Sequence, residues 1–281
     1  MATKAIVLNA GRLVRTRLSA IIQPTRANAA VAPDGRLQVR PGQGGVALGI
    51  ALGSPAGGWV ADHLEPGVSL AHPEPAANSA LQTLACAGNR VTMVDGPAAG
   101  AEGVVFGKHG AVLAMFAATD LARIAPGESA VVVTEGVGLA VESEPDFICH
   151  SCSPRLLERL LVGRDPRDRL RVLIRRVLPA ETAAAGIGMP VWRFNMDLHV
   201  DQEPLAELTR DLRFGDIVAV QDQDHRFGRQ YRKGWLCVGV IAHGVSIAGG
   251  HGFGFMTLLT APGDRIVLEQ TDDAALGRLL G

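Results

Sequence analysis

Asp216-Ile-Val-Ala-Val220 and Trp235-Leu-Cys-Val-Gly-Val-Ile-Ala242 are two apolar, β-branched runs on either side of a polar segment, Gln221 to Gly234. Runs this short, bounded by Gly and charged residues, read as strands rather than helices. The same reading spreads outward. Residues 170–178 alternate Arg with Val, Ile and Leu, which suits a half-exposed strand. Residues 90–95, 103–107, 112–116, 130–134 and 265–269 add further strands, and 4–9 reads as one near the start. Helices are short: 78–85, 154–161, 204–210 and a last one from Asp272. Ser153 followed by Pro154 is an N-cap with Pro at the first helical position. The expected class is α+β, β-rich with short helices and mixed or antiparallel sheets. An N-terminal β-rich part, 1–125, and a C-terminal α+β part, 126–281, are expected, which can form one compact unit.

Composition narrows the function classes. With 47% apolar residues the 281-residue chain can bury a core, and only 4% are aromatic, so that core is built of small side chains. The formal charge of −1 gives no electrostatic footprint for nucleic acid or an anionic membrane. The Arg run 167–176 reads as the solvated edge of a strand or helix rather than a phosphate patch. No apolar run reaches membrane-spanning length. No secretory leader is evident, so a reducing cytoplasm and free thiols are expected for Cys86, Cys149, Cys152 and Cys237. Cys149-His-Ser-Cys152 lacks the second Cys pair of a structural zinc site.

Chemistry concentrates in Asp222-Gln-Asp-His225, His243 and His251-Gly-Phe-Gly254. Imidazole and carboxylate donors together suit iron(II) or zinc. The expected metal ligands are His225, His243, His251 and Asp224, with Asp222 accepting an imidazole N–H. One geometric objection stands beside this. If the two quoted strands form a plain hairpin, His225 and His243 lie at opposite ends. Eight residues span roughly 26 Å at ~3.3 Å each, too far for one ion. The other reading is a set of separate polar loop residues. His63 and Glu65, two apart, share a face if extended, as ligands or a proton relay or as a solvated turn. Lys108 and His109 at a strand end, with Arg229, can polarise or orient an anionic substrate group, although exposed Lys-His at a turn is the commoner case. There is no G-x-S-x-G elbow, no H-E-x-x-H and no phosphate-binding glycine fingerprint.

At these residues the chain resembles domain-of-unknown-function family 4438. The resemblance rests on Ala61-Asp-His-Leu-Glu-Pro-Gly-Val-Ser69, Cys86-Ala-Gly-Asn89, Gly107-Lys-His-Gly110, Phe214-Gly-Asp216 and Asp224-His-Arg-Phe-Gly-Arg229. Tyr231-Arg-Lys-Gly234 and His251-Gly-Phe-Gly254 complete it, with Phe253 where the family commonly has Pro. One branch comprises mononuclear non-heme iron enzymes that form the 1,3-oxazine ring of the C-nucleoside antibiotic oxazinomycin. The resemblance implies Fe(II) as cofactor and a C-ribosyl hydroxypyridine and dioxygen as partners, in an oxygenase reaction. A zinc-dependent hydrolase or lyase is the alternative, and a non-enzymatic binding protein the third. A homo-oligomer is compatible with this reading; nucleic acid and membrane are not expected partners.

Overall fold

The computed structural model describes residues 5–32, 34–200 and 203–281. Six antiparallel strands close into a barrel: Thr16–Ile22, Ser129–Thr134, Arg90–Met93, Glu102–Lys108, Val112–Phe116 and Gly67–Ala71. Closure comes from Ile21 and Ile22, which pair with Ala71 and Leu70. Ser129–Thr134 shows why these segments are strands, since alternate residues Ala130, Val132 and Thr134 are buried and those between are half-buried. Val68, Leu70, Val91, Val105, Val112 and Val132 fill the interior, the small-residue core that the composition requires. The strand Ser129–Thr134 lies past residue 125 yet completes the N-terminal barrel.

A second sheet runs in the order Ile148–Cys149, Phe253–Pro262, Gln230–His243, Ile217–Asp224 and Arg176–Leu178, the last pair parallel. Met196–Leu198 also pairs with Phe253–Pro262. Leu161–Arg164, Leu170–Ile174 and Ile266–Gln270 form a third sheet, its last pair parallel. The longest helix, Pro75–Leu84, has ten residues. The architecture is therefore α+β, β-rich, with short helices and both antiparallel and mixed sheets. Lys4 lies outside the described residues, and of 5–9 only Leu8 makes an isolated bridge, to Val141, so no strand forms there. Arg171 of the Arg run pairs with Glu269 on the neighbouring strand, as a solvated strand face would. Among the described residues no helix is long and apolar enough to cross a membrane.

Barrel and second sheet meet where Gly107 faces Ala242. A Cβ on Gly107 would lie 2.6 Å from that of Ala242, so the glycine sets how closely the layers approach. Lys108, His109 and His243 follow immediately, and this seam positions the site. Helix Pro154–Leu160 anchors the first core cluster through Leu156, Leu157 and Leu160. It starts at Ser153, whose Oγ accepts from Leu156 N–H at 3.3 Å. Ser153→Ala is expected to destabilise the protein by about 1 kcal/mol, read as a lower urea midpoint with unchanged slope; an unchanged midpoint would refute the cap.

Candidate metal centre

Five elements deliver side chains to the seam. Asp197 sits in strand Met196–Leu198, opposite Gly254 of Phe253–Pro262. His243 ends strand Gln230–His243 and also lies opposite Gly254. The two strands both pair with Gly254, which has no side chain, so Asp197 and His243 meet across it, with His243 Nε2 3.4 Å from Asp197 Oδ1. His251 follows on the loop between the two long strands, its N–H bonded to the Ala248 carbonyl. His63 and His109 come from the barrel side.

Two loops clasp to bring His63 across. His63 N–H donates to the Val245 carbonyl and Gly244 N–H to that of Leu64. Asp62 accepts from Ser246 Oγ (2.6 Å), Ile247 N (3.1 Å) and Asn28 Nδ2 (3.0 Å). His63 adopts φ 48, a left-handed conformation costly for a side chain with Cβ and held by this clasp. Its Nδ1 lies 3.3 Å from Asp62 Oδ1 without hydrogen-bond alignment, and its Nε2 approaches His251 and Asp197.

His63, Asp197 and His251 form the convergent set, their ligand atoms all within 4.8 Å of one another. His63 Nε2 is 3.4 Å from His251 Nδ1 and 3.8 Å from Asp197 Oδ2, and the latter two are 2.6 Å apart. Donors held about 2.1 Å from one ion lie roughly 3.0–3.5 Å apart, so this spacing admits a shared cation after small adjustments. A possible metal site of two histidines and one aspartate is thus present, and its donor set suits a first-row divalent metal.

Around it stand two more imidazoles. His243 donates from Nδ1 to the Gly244 carbonyl (2.8 Å), and its Nε2 lies 2.6 Å from Asn195 Nδ2 and 3.4 Å from Asp197 Oδ1. His109 Nδ1 bonds Glu65 Oε1 at 2.7 Å, and Glu65 Oε2 accepts from Gly44 N and Ser69 Oγ. The His109 ring lies 4.0 Å from that of His243 and stacks 5.0 Å from that of His63, centroid to centroid. A cleft of about 410 Å³ opens here, lined by His63, His109, Asp197, His251, Met189 and Phe194 among others.

Electrostatics follow from this packing. Burial alone would raise the Asp197 carboxyl, but hydrogen bonds and charge from His243 and His63 hold it well below the usual carboxylate range. Burial opposes protonation of His63, yet Asp197 and Asp62 outweigh it and raise its pKa. Burial, with His243 nearby, pushes His109 down to about 4 despite Glu65. Glu65, for which burial is likewise the largest influence, is held ionised below its ordinary value by His109 and Ser69.

Other sequence expectations fall elsewhere. Strands Ile217–Asp224 and Gln230–His243 do pair as a hairpin, with Asp224 opposite Gln230 and Ile217 opposite Val240. His225 is therefore at the far end from His243. Its Nδ1 meets Thr257 Oγ1 at 2.8 Å and Cys237 Sγ at 3.0 Å. Asp224 is bound by Arg226 and Arg232 at 3.0 and 3.2 Å. Neither joins the convergent set; of the four expected ligands His251 does, and His243 borders it. Asp222 accepts from Gly234 N at a strand irregularity instead of from an imidazole. Lys108 and Arg229 are buried beside the cleft and donate to Ser151 Oγ and to backbone carbonyls. All four cysteines are free. Burial raises the Cys149 thiol to about 12 and Cys152 well above its ordinary value, so neither is poised as a nucleophile. Asp197 was missed by sequence reasoning; the alternation Asn195-Met-Asp197-Leu-His199 was the available signal.

Gly254 supports the His243 ring, and a Cβ there would overlap its Cδ2 and Nε2. Gly254→Ala is expected to destabilise by about 1–3 kcal/mol and to weaken metal binding, since the displaced ring presses on Asp197. Denaturation and metal titration together check this; wild-type values in both would mean the ring has room to move.

Two family models cover the chain: Domain of unknown function (DUF4438), N-terminal, over residues 30–158, and its C-terminal counterpart over 159–280. A crystal structure of TM1086 is similar at a TM-score of 0.93 and 31% identity, covering 99% of this chain and 100% of that one. None of the curated proteins compared with the chain matches it.

Proposed function

The chain belongs to the DUF4438 family, and on that footing we propose that it is a mononuclear non-heme iron(II) oxygenase. The reaction we propose is a dioxygen-dependent oxidative ring rearrangement of a C-ribosyl hydroxypyridine. The observation that carries the metal is the convergence of His63, Asp197 and His251 at the cleft. Two imidazoles and one carboxylate are the donor set that non-heme iron(II) oxygenases use, with positions left open. Iron(II) held there supplies the redox chemistry that activates dioxygen. The substrate identity rests on the family resemblance alone.

The chain's own residues would do the rest. Asp62 holds the His63 loop and Asn195 meets the Asp197–His243 pair, as outer partners of metal ligands do. His109, neutral and tied through Nδ1 to Glu65, lines the cleft and keeps Nε2 as its proton-accepting nitrogen. Lys108 and Arg229, buried behind the cleft, brace its wall through Ser151 and the carbonyls of Trp192, Met189 and Phe194 instead of touching a ring oxygen.

That same Glu65–His109 pair favours a second reading, hydrolysis by a zinc-activated water with His109 as base. Anaerobic reconstitution with iron(II) or zinc, followed by an oxygen-electrode assay with a C-ribosyl hydroxypyridine, separates the two. Substrate-dependent oxygen uptake with iron supports the oxygenase. Turnover with zinc and no oxygen uptake with iron would replace it by the hydrolase.

A further inference from the structure

Lys108 and Arg229 are each about 1% exposed. Among the described residues no carboxylate lies within 4 Å of either. Lys108 Nζ donates to Ser151 Oγ (3.0 Å) and the Trp192 carbonyl (2.8 Å). Arg229 donates to the carbonyls of Phe194, Met189 and Gly186, while its Nε has no partner. Lys108 has neutral hydrogen-bond partners only, and Arg229 feels the Asp197 carboxylate at longer range without an ion pair, so both are costly to desolvate unless an anion joins them.

Three further observations place that anion. The Nε2 atoms of His150 and His225 are also buried without a partner. His225 Nδ1 sits 2.8 Å from the Thr257 hydroxyl and 3.0 Å from the Cys237 thiol; with the hydroxyl donating to Nδ1, the hydrogen of the neutral ring is on Nε2. Ser151 ties the parts together: its side chain takes Lys108, its N–H bonds the Thr257 carbonyl, and the Thr257 hydroxyl takes His225. Arg229 is close enough to both imidazoles to depress their pKa values. Asp224 acts on both imidazoles at range but is ion-paired to Arg226 and Arg232 and makes no contact with Lys108 or Arg229.

We infer that Lys108, Arg229, His150 and His225 form a buried site for a small monovalent anion, of halide or formate size. It is distinct from the His63–Asp197–His251 centre. Its occupant would offset one of the two buried positive charges that hold down residues 186–194, part of the cleft wall, while Asp197 acts on Arg229 from longer range.

Bromide and formate are the probes. Crystals of the full chain soaked in sodium bromide, with data at the bromine edge, should show an anomalous peak in contact with Arg229 Nε and an imidazole Nε2. In solution, formate titrated at constant ionic strength against sodium gluconate should raise the melting temperature saturably, by roughly 5 °C at 100-fold over Kd. His225→Asn and Arg229→Gln should lose that rise, each compared with its own formate-free baseline. Metal content, measured in the same samples, should not follow formate, so failure here is distinguishable from failure of the metal reading. Bromide confined to surface positions, or a non-saturating formate response equal in wild type and variants, would overturn the site.

Discussion

Asp197→Asn should strip the protein of its metal. The carboxylate is the only anionic donor in the convergent set and lies within 2.6 Å of His251 and 3.8 Å of His63. An amide of equal volume keeps the shape but loses the charge that favours a divalent ion. Changes in residues that merely orient ligands weaken binding about 10–100-fold, so loss of a ligand should weaken it by about 100-fold or more. Plasma mass spectrometry after dialysis gives the stoichiometry, and circular dichroism checks the fold. Wild-type metal content in a folded Asp197→Asn protein would remove Asp197 from the coordination sphere. The same substitution takes away the charge that raises the His63 pKa, so that pKa should fall.

Acidification is expected to have the next largest effect. Burial, then the charges of Arg229 and His150, push His225 down to about 3, against about 6.5 in the unfolded chain. Between those values the unfolded chain binds the extra proton, so stability rises with pH and is lost as pH falls below about 6.5. For this fully buried ring the loss is on the order of 1.4 kcal/mol per pH unit. His150, pushed to about 4 by burial, adds in the same direction. Urea denaturation in dilute buffer between pH 7 and pH 5 measures the slope. His225→Asn should flatten it by close to one proton equivalent. Equal slopes in variant and wild type would show that His225 charges freely in the folded protein, as an exposed histidine does.

Much of the fold was legible because its signals are local. A β-branched apolar run marked 130–134, alternation marked 170–178, and Ser153-Pro154 marked a helix start through a single hydrogen bond. The metal centre was legible only in parts. His251 stood out through its glycines, and His63 and Glu65 through their spacing. Their convergence depends on long-range register. Asp197 reaches His251 because its three-residue strand pairs beside Gly254, and His63 arrives because Asp62 docks on Ser246 and Ile247, 184 and 185 residues away. Asp224-His225 misled for the same reason. A polar cluster in sequence became a hairpin end, with Thr257 and Cys237 partnering the ring and Arg226 and Arg232 the acid. Glu65 illustrates a smaller shift: it supports His109 from a neighbouring loop on the barrel side, 44 residues away.

Anomalous diffraction from crystals reconstituted anaerobically with iron(II), measured just above and just below the iron edge, tests the metal centre most directly. A difference peak is predicted between His63 Nε2, Asp197 Oδ2 and His251 Nδ1. A peak at His225 and Asp224 instead, or none at the three side chains in crystals that contain iron, would contradict it.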